Sequence, residues 1–231
     1  MSLLKTSEEK LSQVYNALIA KGYTETAKKI TEVILAETNY NTRGKKFNIY
    51  DCTSTDEIRY VMNGVYHDNG YKIASNGYVL CAVKQEYAPE LEGKIVTKSG
   101  EFIEGRYPNW RCVIQNEKLC KRDGTLATLS SEQIQTFRNR IKELRAESKA
   151  KNVKGMRWYD GWRVKLGAGY YKAELFELFC KAAEMFKFDK CYTFTDRGLQ
   201  VMADNVTFLM MPMLAPEERD EQDPDFAVIE L

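Results

Sequence analysis

Histidine is nearly absent from this sequence: His67 is the only one among 231 residues. The six cysteines, Cys52, Cys81, Cys112, Cys120, Cys180 and Cys191, lie far apart, with no Cys-x-x-Cys pair. A structural zinc site needs about four thiolate or imidazole ligands at short spacings, so zinc modules are excluded and no metal or other cofactor is expected. The cysteines read as buried, reduced thiols. No apolar run approaches the roughly 20 residues of a membrane span. The first residues, Met1 to Glu9, lead into helix-like sequence with no apolar core or cleavage site, so a cytoplasmic protein without a membrane partner is expected. Also missing are the motifs G-x-S-x-G, G-x-x-x-x-G-K-[ST] and H-E-x-x-H. His67 sits beside the Asp68-Asn69-Gly70 turn and reads as a surface residue, not a general base. No catalytic residue is assigned.

Hydrophobic residues make up 44% of the chain and charged residues 29%, a composition that supports a packed core and argues against general disorder. The length suits one large domain or two of about 100 to 120 residues. Net charge is only +1, but it is polarised. Residues 118–165 carry thirteen Lys or Arg against five acids, and residues 217–231 carry seven acids against Arg219 alone.

Residues 7 to 37 read as two helices, with Leu11, Val14, Tyr15, Leu18 and Ile19 at helical spacing before Gly22. Strand-like pieces follow at 47–50, 58–66, 71–74, 78–83, 94–97 and 111–114, punctuated by Asn-Gly and Ser-Gly turns. A long helix is expected over 131–150, capped by Ser130 or Ser131, with Ile134, Phe137, Ile141 and Leu144 as its apolar stripe. A hairpin over 155–166, a helix over 172–186 and strands at 190–195, 199–203 and 207–213 complete the pattern. Hairpins interspersed with helices, without βαβ alternation, define an α+β fold. The expected layout is an N-terminal helical segment (1–40), two domains (41–115 and 116–216) and a mobile acidic tail (217–231).

Two distant segments stand out: Arg59-Tyr60-Val61-Met62-Asn63-Gly64 with Ala74-Ser75-Asn76-Gly77-Tyr78-Val79-Leu80, and Phe208-Leu209-Met210-Met211-Pro212-Met213-Leu214. Here the chain resembles the bacterial DNA polymerase III beta sliding clamp. That family's middle domain has an Arg-Tyr-x-Leu-Asn-Gly strand before an Ala-Thr-Asp-Gly-x-Arg-Leu strand. Gly105 to Ile114 is similar to its Gly-Arg-Phe-Pro-Asp-Tyr-x-x-Val linker, and Met210-Met211-Pro212-Met213 to its closing Val-Met-Pro-Met. The three segments cover well under half of the chain. A helix and several strands of the family domain have no counterpart between Val83 and Gly105, and Ser75-Asn76 and Val79 replace Thr-Asp and Arg.

The resemblance implies a DNA-clamp-like fold with two halves of antiparallel sheet and packed helices. It also implies a groove for short linear peptides of replication or repair proteins, lined by Met62, Ser75, Gly77, Tyr78, Val79, Leu80, Pro108, Val113, Leu209, Met211, Pro212, Met213 and Leu214. The residue types suit such a groove. Met moulds to varied ligands, Pro212 ends a strand ladder, and Gly77 leaves the backbone approachable. A buried strand with Met gap-fillers explains residues 208–214 equally well.

On the 131–150 helix, Arg138, Lys142, Arg145 and Lys149 form a stripe that suits non-specific contact with duplex phosphates, or else a solvated charged face. Tyr107, Trp110, Trp158, Tyr159 and Trp162 would stack on bases only if exposed. The leading reading is thus a non-enzymatic clamp-like protein acting as a DNA polymerase processivity or recruitment factor, with homo-oligomeric ring closure open. A clamp-derived adaptor without DNA encirclement is the alternative. An enzyme acting on nucleic acid through acids such as Asp51, Asp56 and Glu57 is the third. The acidic, apolar tail also has the character of a ligand for its own groove.

Overall fold

The computed structural model describes residues 23, 47–85, 89–150, 161–217 and 226–231, with the side chains of 148–150 outside the description. Apart from Tyr23, the residues of the helices expected at 7–37 lie outside this description. Ile49–Leu231 form one compact unit.

Nine strands of this unit make one antiparallel sheet in the order β5-β4-β1-β2-β3-β11-β10-β9-β6. They are β1 (Val65–Asp68), β2 (Tyr71–Ser75), β3 (Val79–Lys84), β4 (Ile95–Val96), β5 (Phe102–Ile103), β6 (Thr125–Thr128), β9 (Lys190–Phe194), β10 (Gly198–Ala203) and β11 (Val206–Met210). A second sheet, in the order β12-β7-β8, comprises β7 (Trp162–Leu166), β8 (Gly169–Lys172) and β12 (Ala227–Glu230). Among the described residues the α-helices are α1 (Glu117–Asp123), α2 (Ser131–Ala150) and α3 (Ala173–Phe186). The architecture is α+β, as the alternation of hairpins and helices requires.

Helix α2 buries Ile134, Phe137, Ile141 and Leu144, the stripe its periodicity defines. Ser130 accepts the Gln133 amide at 3.1 Å while Gln133 Oε1 accepts the Ser130 amide at 2.9 Å, a reciprocal N-terminal cap. Phe137 meets Phe176 of α3 edge-on at 5.1 Å, and Phe179 packs on Phe208 of β11 at 5.6 Å. The two helices are thereby tied to one face of the large sheet. Thr193, fully buried on β9, accepts from the Ala168 amide at 3.0 Å and donates to the Thr125 carbonyl at 3.2 Å, which joins the β7–β8 turn to the large sheet.

Several local expectations change. Residues 49–52, 60–62 and 110–113 are 3-10 turns, not strands. Asn109 caps the last of these, accepting the Arg111 amide at 3.3 Å. The hairpin of the second sheet is β7–β8, turning at Gly167, whereas the one expected at 155–166 falls largely on undescribed residues. Residues 227–230 of the tail form β12, parallel to β7. His67 is 5% exposed on β1, with its Nδ1 3.1 Å from Gln85 Nε2, so it is a core residue and not a surface one.

Candidate functional site

The two segments that stood out in the sequence are neighbours. Strands β3 and β11 pair antiparallel, with Leu209 opposite Leu80 and Met210 opposite Val79. The Met211 amide donates to the Tyr78 carbonyl at 2.8 Å and carries the ladder one step further. Pro212, without an N–H, ends it. This seam joins the β1–β5 half of the large sheet to the half built from β6 and β9–β11.

Strand alternation divides the seam residues between two faces. Leu80 and Leu209 enter one buried cluster with Met62, Ile73, Ala82, Ile95, Tyr107 and Trp110. Val79 and Met210 point to the opposite face and are fully buried. Tyr78 and Met211, just beyond the strands at the end of the ladder, are 58% and 43% exposed. The turn entering the seam is tightly held. Asn76 Oδ1 accepts the amides of Tyr78 and Val79, each at 2.9 Å, and the Ser75 hydroxyl donates to the Val79 carbonyl at 2.8 Å. Gly77 has φ +88°, and a Cβ there would collide with the Arg59 guanidinium. Gly77 therefore serves the turn and the close approach of Arg59.

The remaining lining residues divide. Pro108 and Val113 are exposed on the linker, whose Trp110 is buried and donates from Nε1 to Asp68 Oδ2 at 2.7 Å. Met213 leaves the large sheet: its amide donates to the Tyr170 carbonyl of β8 at 2.7 Å. Leu214, 81% exposed, offers its carbonyl to Arg163 NH1 of β7 at 3.0 Å. The fold thus brings together Met62, Leu80 and Leu209 as a floor, with Tyr78 and Met211 at its rim. Ser75, Gly77 and Val79 build the turn and the reverse face. Pro212, half-buried, leads Met213 and Leu214 to the second sheet.

One positioning residue went unnoticed in the sequence. Gln200 of β10 is 1% exposed, donates from Nε2 to the Gln115 carbonyl at 2.7 Å and accepts the Gln115 amide at 2.9 Å. It holds the linker beside the seam. A lone Gln between Leu199 and Val201 carries no sequence signal of this role.

The basic stripe of α2 faces the acids of α3. Arg138 grips Glu184 with both terminal nitrogens at 2.6 and 2.7 Å, and Arg145 meets Glu177 at 3.2 Å. Hydrogen bonding from Arg138 holds the Glu184 carboxyl below its ordinary range. Lys142 is exposed, and the Lys149 side chain lies outside the description. Tyr107, Trp110 and Trp162 are buried and offer no stacking face, and Trp158 and Tyr159 are undescribed.

Five cysteines are buried as expected, but Cys112 is exposed. Burial pushes the Cys191 thiol up to about 12, which leaves it a poor nucleophile. Burial, assisted by Lys72, lowers His67 to about 4. Among the described residues no group of three or more His, Cys, Asp or Glu is placed to hold a metal, and no helix is long and apolar enough to cross a membrane.

No family model matches the sequence, and no curated protein does. Solved structures do. The beta sliding clamp of Caulobacter crescentus aligns over 72% of this chain and 61% of its own, at 14% identity and a TM-score of 0.50. DNA polymerase III subunit beta of Borrelia burgdorferi, solved with a natural product, aligns over 73% and 60%, at 15% identity and a TM-score of 0.46. That of Pseudomonas aeruginosa aligns over 71% and 63%, at 12% identity and a TM-score of 0.48. The fold is that of a divergent sliding clamp. The chain spans less than two thirds of the length of these clamps.

Proposed function

We propose that this chain is a non-enzymatic, sliding-clamp-like interaction module that docks short linear peptides of replication or repair proteins at the β3–β11 seam. The carrying observation is the pairing of Tyr78–Leu80 with Leu209–Met211, which sets two exposed side chains, Tyr78 and Met211, beside a buried floor of Leu80, Leu209 and Met62. An adaptable Met and an aromatic ring beside an apolar floor suit peptide anchors. In this reading residues 41–115 and 116–216 are the two clamp-like halves whose sheets meet at the seam.

The adaptor form of this reading, without DNA encirclement, is favoured by the pairing of Arg138 and Arg145 with Glu184 and Glu177, which commits two cations of the DNA-facing candidate stripe to the neighbouring helix. Selection from a displayed library of roughly seven-residue peptides, followed by fluorescence anisotropy, tests the site. Selected peptides should carry apolar anchors and lose at least about tenfold in affinity with Met211→Asp. The control Leu126→Asp, at an exposed leucine of β6, should not change them. Equal binding to wild type and Met211→Asp rules out the seam.

A further inference from the structure

The outer edge of β7 is covered by an extended segment of the chain itself. Trp162, Val164 and Leu166 point inward and are 3%, 0% and 2% exposed, while Arg163 and Lys165 alternate outward. A strand with a fully buried apolar face and an open edge is a ready template for pairing. In this structure β12 covers that edge in parallel register, from Ala227 opposite Trp162 to Glu230 opposite Lys165. The Leu231 amide adds a bond to the Lys165 carbonyl at 3.1 Å.

Among the described residues, the occupant makes few apolar contacts. Ile229 is the only residue of β12 that is buried, at 4% exposure. Glu230 pairs with Lys165 at 3.3 Å, but both side chains are largely in solvent, where such pairs contribute little. The guanidinium of Arg163 lies 5.2 Å from the centre of the Phe226 ring and also donates to the Leu214 carbonyl. Leu214 and Phe226 therefore flank a single side chain. As part of the same chain, the segment competes intramolecularly with any added ligand.

We infer that the β7 edge is a strand-addition site for an extended segment of another protein, and that residues 226–231 are its resident, displaceable occupant. The matching chemistry is read from the resident: an aromatic ring for Arg163, a β-branched residue for the inward position opposite Val164, and a carboxylate four residues after the aromatic for Lys165. This site is distinct from the seam, and Arg163 stands between the two, touching Leu214 on one side and Phe226 on the other.

The probe is a fluorescent peptide with the sequence of Phe226–Leu231, titrated against the full chain. Wild type should bind it poorly, because the tethered copy competes. Ile229→Asp, which weakens only the resident, should bind it at least about tenfold more tightly. The milder Glu230→Lys should act in the same direction by a smaller factor, and hydrogen exchange of β11 amides, in the other sheet, reports whether either variant keeps its fold. Lys165→Glu in the Ile229→Asp background should weaken the probe by a few-fold at most, and a probe that carries Lys in place of Glu230 should recover that loss. Met211→Asp should leave probe binding unchanged, so loss of seam ligands and loss of this site are separable. Equal binding of the probe to wild type, Ile229→Asp and Glu230→Lys overturns the proposal. So does a wild-type mass that doubles with concentration and reverts in Ile229→Asp, which would assign the edge to a second copy of this chain.

Discussion

Gln200 and Gln115 are joined at two points: the side-chain amide of Gln200 donates to the backbone carbonyl of Gln115 and accepts its backbone N–H. The buried amide of a strand in one half thereby fixes the linker from the other. Gln200→Leu keeps the volume, removes the partner of the Gln115 amide and leaves the Gln115 carbonyl with only the weak Cys120 thiol donor at 3.8 Å. A loss of about 1 to 3 kcal/mol is expected in urea unfolding. Hydrogen exchange should quicken at the Gln115 amide ahead of the β10 amides. A variant as stable as wild type would show that water replaces the side chain without cost.

Gly198 opens β10 with φ +87°, and a Cβ there would drive into the Met210 carbonyl and the Met211 backbone. Those are the residues that continue the seam from Leu209. Gly198→Ala combines a left-handed backbone with a collision against main chain that has no rotamer to yield. The expected cost is about 1 to 3 kcal/mol, with weaker peptide binding at the seam. A stable variant with unaltered peptide affinity would mean that the β10–β11 register tolerates the shift without moving Met211.

How much of this was legible in sequence depends on the range of the interactions. The stripe Ile134, Phe137, Ile141 and Leu144 is a local, periodic property, and helix α2 follows it. The hairpin strands around Asn69-Gly70 and Arg197-Gly198 were equally local. The meeting of Tyr78–Leu80 with Leu209–Met211 was not local, and only a resemblance to a known family pointed to it. Three elements were misread because distant partners decide them. Trp110 is anchored by Asp68 of β1, so the residues after it coil into a 3-10 turn. Gly64 passes so close to Ile95 and the Val96 carbonyl that no Cβ fits, and the strand expected from Ile58 begins only at Val65. In the tail the run of acids masked the short alternation of Ala227–Glu230, whose template β7 lies far back in the chain.

His67 makes stability sensitive to mildly acid pH. Its folded-state value is depressed to about 4, first by burial and then by Lys72, with Glu90 opposing. Gln85 donates to Nδ1 only while that nitrogen is unprotonated. The unfolded chain takes up the proton near pH 6.5, so the contribution is complete above that pH and declines as pH falls towards 4. The slope should approach about 1.4 kcal/mol per pH unit, for a total near 3 kcal/mol. His67→Gln should flatten the stability profile between pH 6.5 and 4, read as denaturation midpoints across a buffer series. An unchanged slope in the variant would transfer the effect to other groups.

The pairing of Arg138 with Glu184 and of Arg145 with Glu177 bears directly on DNA. Both pairs are partly exposed, so each contributes only about 0.2 to 1 kcal/mol to folding, and the Glu184 share fades as pH drops through its depressed value. Their larger effect is on what the helix presents to solvent. Glu177→Gln with Glu184→Gln removes the two carboxylates that face Arg145 and Arg138 while keeping the packing of α3. Wild type should show weak duplex retention at low salt. The double variant should bind more tightly, with the slope of log affinity against log salt steeper by up to about two. Identical slopes would mean that α2 does not meet phosphate at all, and the adaptor reading would then stand without its DNA-facing alternative.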